Sequence, residues 1–345
     1  KFKKLAVAIT LLNFVLIWQG FYPTLPRKVI TNIPESVKFI QNRSKAEPPF
    51  RLFRFWGGLS KYVDMGLNDR NLSEKSWLEI AMIAPNYSLL HDVAFAGGQE
   101  NIISSRQSKV AALIGSERAP GNAPWIFDQK IPFDSKLSRF QSPENRKLLS
   151  MMNVKYLLTS FDFKLPLKKV YETRVTSANI PVFVYENPDV LPRVYFAKKV
   201  KFIEPDGEKA FNELLANDNF KQTTLIECLK PECVYAKYQS SPSDTITIQE
   251  IKSGYLKVKT STKYPRWLIY SESNLPTWEV RINDNPELLP IRTANYLFQA
   301  VYIPPGNNEI TFSYPGIWKQ TGYSLESQIS KFFSFDRGVS DKILK

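Results

Sequence analysis

Histidine occurs once in 345 residues and cysteine twice, and these scarcities close off much chemistry. A multi-histidine metal centre cannot be built from His91 alone. Cys228 and Cys233 are too few for a cysteine-rich zinc site. Any nucleophilic triad that needs an imidazole would have to use His91. No G-x-x-x-x-G-K loop and no G-x-G-x-x-G turn occurs. Neither a metal nor an organic cofactor is therefore expected. Internal repeats and low-complexity tracts are missing too, and the carboxylates form no recognisable general-acid pattern. Enzymatic activity is left with two routes: a carboxylate-based site, or a catalytic centre outside this chain.

Positive charge and aromatic side chains are plentiful. Lys and Arg number 46 against 33 Asp and Glu, a formal net charge of +13, and aromatic residues make up 13%. An excess of this kind favours nucleic acid, anionic lipid or an acidic polymer. Nucleic acid is not expected, because no RNP, helix-turn-helix or zinc-finger pattern accompanies the charge. The lysines are dispersed, so they read equally well as an ordinary solvated surface.

The amino end, "KFKKLAVAITLLNFVLIWQGFYPTLPRK", is uncharged from Leu5 to Tyr22, close to the ~20 residues that span a bilayer. Lys1, Lys3 and Lys4 place that end inside. Trp18, Phe21 and Tyr22 suit the far interface. Residues 1–23 are thus expected to form a transmembrane helix, with most of the chain outside. A signal peptide and a buried soluble helix are the rival readings, and the absent initiator Met suggests a fragment. Residues 319–345 read as an amphipathic or frayed tail.

Between the ends, the fold class is α+β. Residues 24–203 mix helical and strand periods. "SPENRKLLSMMN" predicts a helix capped by Ser142, with Pro143 in its first turn and Leu148, Leu149 and Met152 inward. The strands "VKYLLTS", "VFVYEN" and "RVYFAKKV" follow. Residues 204–242 read as a helical linker, capped by Asp206 and carrying the Cys pair. From about residue 243 the period becomes two. "TITIQEI", "YLKVKTS", "RWLIYSE", "WEVRI", "YLFQAVYI" and "EITFSY" predict six short strands over 243–318, an antiparallel β-sandwich.

Candidate site residues are few. Cys228 and Cys233 can close a local disulfide in an oxidising compartment, or remain two free thiols. The polar segment around Asn86, His91 and Arg106, with Gly97-Gly98 before a helix start, could hold a sugar or phosphate. It also reads as a polar loop with one satisfied histidine. In "WEVRI" the alternation puts Trp278, Val280 and Ile282 on one face, which makes Trp278 a core residue. Tyr314 and Trp318, at and beyond the last strand, are the aromatics best placed to meet a saccharide ring or lipid headgroups.

Three stretches in order carry a resemblance: "LLSMMNVKYLLTS", "VFVYENPDVLPRVYFAKKV" and "WLIYSESNLPTWEVRINDN…FQAVYIPPGNNEITFSYPGIWKQTG". Together they resemble the extracytoplasmic carboxyl-terminal region of YfhO-like bacterial membrane proteins, over most of residues 24–322. That family is similar to GT-C glycosyltransferases. These move a sugar from a polyprenyl-phosphate carrier to an envelope polymer such as teichoic acid. The resemblance implies a bacterial cell-membrane protein, with membrane lipid, carrier and anionic glycopolymer as partners. The family's catalytic carboxylate lies in an early external loop that no position here matches, so no catalytic residue is carried over. Two departures stand out: Pro276-Thr277-Trp278 where the family has Pro-Gly-Trp, and Asp284-Asn285 for its Asp-Gly hairpin turn. The competing readings are a membrane-anchored envelope protein of binding or structural role, and a carboxylate hydrolase built around His91.

Overall fold

The structure is a computed structural model. It describes residues 7, 9–13, 31–55, 64–67, 72–84, 87–96, 104–114, 133–162, 167–229, 233, 241–283 and 285–315. The chain is α+β and divides into two compact units. One comprises residues 1–100, 129–137 and 155–188; the other comprises 101–128, 138–154 and 189–345. No helix among the described residues is long and apolar enough to cross a membrane. Most of residues 1–23, where a span is expected, lies outside the described residues, as does the tail from residue 319 on.

The first unit is built on a sheet of strands β1 (Arg51–Arg54), β2 (Val154–Thr159), β3 (Lys168–Val175) and β4 (Ile180–Glu186), in the order β1-β2-β4-β3. Helix α1 (Glu35–Ala46) lays Val37 and Ile40 against Leu52, Tyr156, Leu158 and Val184. Helix α2 (Leu72–Ala81) adds Leu78 and Ala81 against Val182 and Ile180. Arg54 is buried in β1 and pairs with Glu79 at 2.9 Å. Tyr156 is fully buried, and its hydroxyl donates to both oxygens of Glu47. A short helix, α3 (Tyr87–Leu90), completes the described part of this unit up to residue 96.

In the second unit, helices α4 (Ser105–Leu113), α5 (Phe133–Gln141, whose first half belongs to the first unit) and α6 (Pro143–Met151) precede the strands. Ser142 caps α6 as expected, accepting from the Asn145 backbone N–H at 3.2 Å. Met151 rather than Met152 turns inward, and Asn153 ends the helix in the left-handed region at φ 63.

Two sheets follow. The larger has the order β5 (Val194–Phe196), β10 (Arg266–Ser273), β13 (Phe298–Ile303), β12 (Arg292–Ala294), β7 (Thr223–Glu227), β6 (Lys199–Ile203). The smaller has the order β11 (Glu279–Ile282), β14 (Gly306–Ser313), β9 (Tyr255–Thr262), β8 (Thr245–Lys252). They share one core. Val194, Leu268, Tyr270, Val301 and Ile303 meet Leu256, Val258, Trp278, Val280, Ile310 and Phe312. This is the sandwich-like arrangement that the period of two predicts, with Trp278 inside it.

Three features differ from the sequence reading. The sandwich takes β5, β6 and β7 from before residue 243. It is not antiparallel throughout, because β6 and β7 run parallel, joined by helix α7 (Gly207–Ala216) as a crossover. Asp206 caps α7, accepting from the Glu208 and Lys209 N–H groups. Last, the turn after β11 does not join paired strands, since β11 pairs with β14 and the next strand belongs to the other sheet. The left-handed residue is Asn283 (φ 50), whose side chain is held by Asn308 and the Glu309 N–H.

The larger sheet cannot be flat. Strands spaced ~4.8 Å apart would put the edges of a flat six-stranded sheet about 24 Å apart. The edge strands β5 and β6 are separated only by Ala197 and Lys198, a link that reaches at most about 10 Å. The sheet therefore curls, and the rings of Phe202 on β6 and Trp267 on β10 come to 6.1 Å, four positions apart in the strand order. Tyr195 alternates with the core residues Val194 and Phe196, so it turns to the concave side. There it is half-buried, and its hydroxyl accepts from Asn295 Nδ2 at 3.1 Å. That burial pushes the Tyr195 hydroxyl well above its ordinary range.

Candidate functional site

The second unit joins cations to aromatic rings along one strip. Helix α4 begins with a capping box: the Ser104 hydroxyl accepts from the Gln107 N–H, and the Gln107 side chain accepts from the Ser104 N–H. The box fixes the first turn and so aims Arg106. The Arg106 guanidinium grips both oxygens of Glu227 at the end of β7, donates to the Tyr296 carbonyl at 3.0 Å, and lies 4.7 Å from the Tyr296 ring centre. Its charge is reinforced by the Glu227 bond, which outweighs burial. One turn on, the Lys109 ammonium sits 5.3 Å from the Phe211 ring, and Phe211 lies 5.3 Å from Tyr296. Gln107 extends the anchorage by donating to the Ser273 hydroxyl at 2.6 Å.

The same unit holds an arginine cluster and a disulfide. Arg193 reaches Glu272, donates to the Ser271 carbonyl and covers the Tyr270 ring at 5.2 Å, fastening β5 to β10. Burial lifts the Tyr270 hydroxyl to about 12. Cys228, the residue after Glu227, is joined to Cys233 in a disulfide with a Cα–Cα distance of 5.7 Å.

The predicted residues are divided between the two units. Arg106 belongs to the second unit, with its guanidinium committed to Glu227 and Tyr296. His91 belongs to the first unit, where it is buried; its carbonyl accepts from Gln41, and its Nε2 has no hydrogen-bond partner. Tyr314 packs on Trp278 with ring centres 5.2 Å apart, and its N–H donates to the Gly254 carbonyl at 2.8 Å. Asn86 and Trp318 lie outside the described residues. Sequence reasoning missed Glu227 and Tyr296. The one local hint was a glutamate closing the apolar run "TLIE". No group of three or more His, Cys, Asp or Glu side chains among the described residues could hold a metal ion.

Burial pulls the His91 imidazole below its ordinary value, so the folded state favours the neutral ring. A depressed value makes this contribution complete above the unfolded pKa of about 6.5 and lost as pH falls through the folded one. The midpoint of denaturant unfolding is therefore expected to drop as pH falls from 7 toward 5. His91→Gln should flatten that slope. Glu47 works at a lower pH. Burial raises its carboxyl, but hydrogen bonds from Lys155 and Tyr156 outweigh this and leave it below the usual carboxylate range. Its contribution fades only below about 4.5.

Comparison of the chain with family models, with curated proteins and with solved structures found no match.

Proposed function

We propose that this chain is the external region of a membrane-anchored, GT-C-like envelope protein, and that it holds an anionic glycopolymer or carrier instead of carrying out the transfer itself. The observation that carries the reading is the Arg106–Tyr296–Phe211–Lys109 strip. The half-buried Phe211 ring suits a sugar face and the Lys109 ammonium suits the phosphates between sugars, while Arg106 and the buried Tyr296 hold the strip in place. The net charge of +13 adds a long-range attraction for such a polymer. The membrane part is supported by the amino end, where Val7, Ile9, Leu11 and Leu12 each expose more than half of their surface.

A polyanionic test ligand such as teichoic acid, titrated into the detergent-solubilised full chain, should bind at low salt and weaken as salt rises. Lys109→Glu should weaken binding several-fold and leave the unfolding midpoint within about 0.5 kcal/mol of its original stability. Absence of any salt-sensitive binding would overturn the reading. The upstream reading frame separates it from a simple anchored binding protein. Many apolar spans with an acidic residue in the first external loop favour the glycosyltransferase parent; a start codon just before Lys1 argues against it.

A further inference from the structure

We propose that the Leu89–Leu90 tip of α3 dips into the external leaflet of the bilayer that anchors the chain. The inference rests on the membrane-anchored part of the reading above and gives the first unit its own seat on that membrane. Leu89 is 82% exposed and Leu90 65%, which makes them the two most exposed large apolar residues among those described. A single exposed leucine is ordinary. Two neighbours standing out together form an apolar patch, and such a patch marks a contact with another surface.

The backbone holds the pair out. Asp92 takes the left-handed region at φ 51, so the Val93 N–H reaches back to the Ser88 carbonyl at 3.1 Å. The His91 N–H donates to the same carbonyl at 3.3 Å. Ser88, His91 and Val93 are buried beneath, with Val93 in the core that holds Ile40 and Leu52. The turn is closed and rooted, and the leucines stand clear of the core it is rooted in. What they meet follows from where that root lies. Gln41 Nε2 donates to the His91 carbonyl at 3.1 Å and so ties the tip to α1. Helix α1 begins at Glu35, thirteen residues after the apolar run ends at Tyr22, a link that reaches at most about 45 Å. Ile33, 40% exposed, lies on that link. An anchored chain therefore keeps the tip within reach of the bilayer, so insertion is in effect intramolecular and a pair of leucines suffices. The charge beside the pair is the exposed carboxylate of Asp92, which does not suit anionic headgroups. The contact is with the acyl boundary beneath them.

The test is fluorescence on the full chain reconstituted in phosphatidylcholine vesicles. The two native cysteines are bonded to each other, so Leu89→Cys supplies the one free thiol for an environment-sensitive dye. Its emission should shift to the blue, should be quenched by phosphatidylcholine carrying a spin label on its acyl chain, and should not change with salt. Adding Leu90→Glu to the labelled chain should return the emission to its aqueous position and remove the quenching. Aqueous emission from the dye at Leu89→Cys overturns the proposal. So does equal quenching of a dye at Leu288→Cys, which is 46% exposed in the other unit. A dye shielded from water but untouched by the lipid quencher also overturns it, because a protein partner then covers the tip. Flotation with the vesicles after an alkaline wash tests the anchor separately. A chain that floats after the wash with its dye in water sinks the tip alone. A chain that the wash removes, and whose binding to unwashed vesicles is lost in Leu89→Glu with Leu90→Glu, sinks the anchor alone.

Discussion

Arg106→Ala is expected to cost about 3–5 kcal/mol of stability, read as a fall in the midpoint of denaturant unfolding. The Glu227 side chain is 4% exposed and holds the guanidinium through both oxygens. Removing the cation leaves that carboxylate in a poorly hydrated place without its countercharge. The cost of truncation is mostly this stranded charge and much less the net worth of the pair. The double variant Arg106→Leu with Glu227→Leu is therefore expected to regain most of the loss, because it removes both charges together. A single variant as stable as wild type would show that water reaches Glu227 and that the strip is a loose surface feature.

Trp278→Ala is expected to cost a similar amount, about 3–5 kcal/mol, as the emptied space cannot close. The indole lies in the core between the two sheets, edge-on to Tyr270 at 6.1 Å and against Tyr314 at 5.2 Å. It thus ties β10 to the end of β14. A ligand-platform role makes the opposite prediction: stability nearly unchanged and carbohydrate binding lost. Circular dichroism melts and the polymer titration described above, run on the same variant, separate the two.

The comparison of sequence with structure follows from what is local and what is not. The caps at Ser142 and Asp206 were legible because a cap is decided within three residues. The alternation of "WEVRI" was legible because one strand face suffices to place Trp278. By contrast "RVYFAKKV" reads as a single strand, yet the chain changes partner at Ala197–Lys198 and contributes β5 to one edge and β6 to the other. Nothing in the eight residues marks the change, since it depends on Trp267 and Gln222, whose backbone groups bond on either side of it. Strand β3 was hidden because it is a charged edge, buried only at Val175 among the residues of "KKVYETRV". β12 has only three residues and β1 four, below the length at which a period shows. At the candidate site, Arg106 stood out as a polar residue near a helix start. Its partners did not, because Glu227 and Tyr296 follow it by 121 and 190 residues.

Those separations also set a schedule for the growing chain. At about 5–20 residues per second, 190 residues take on the order of 10–40 s to synthesise. For that interval α4 is complete and its cap is in place, but the carbonyl and ring that will receive Arg106 do not yet exist. Between synthesis of Glu227 and of Tyr296 the guanidinium can have one partner and not the other. The helix is among the early segments of its unit to be made, and its seat is among the last. Until then the Arg106 side of the helix lacks its final seat, which is a period of exposure for a chaperone to fill.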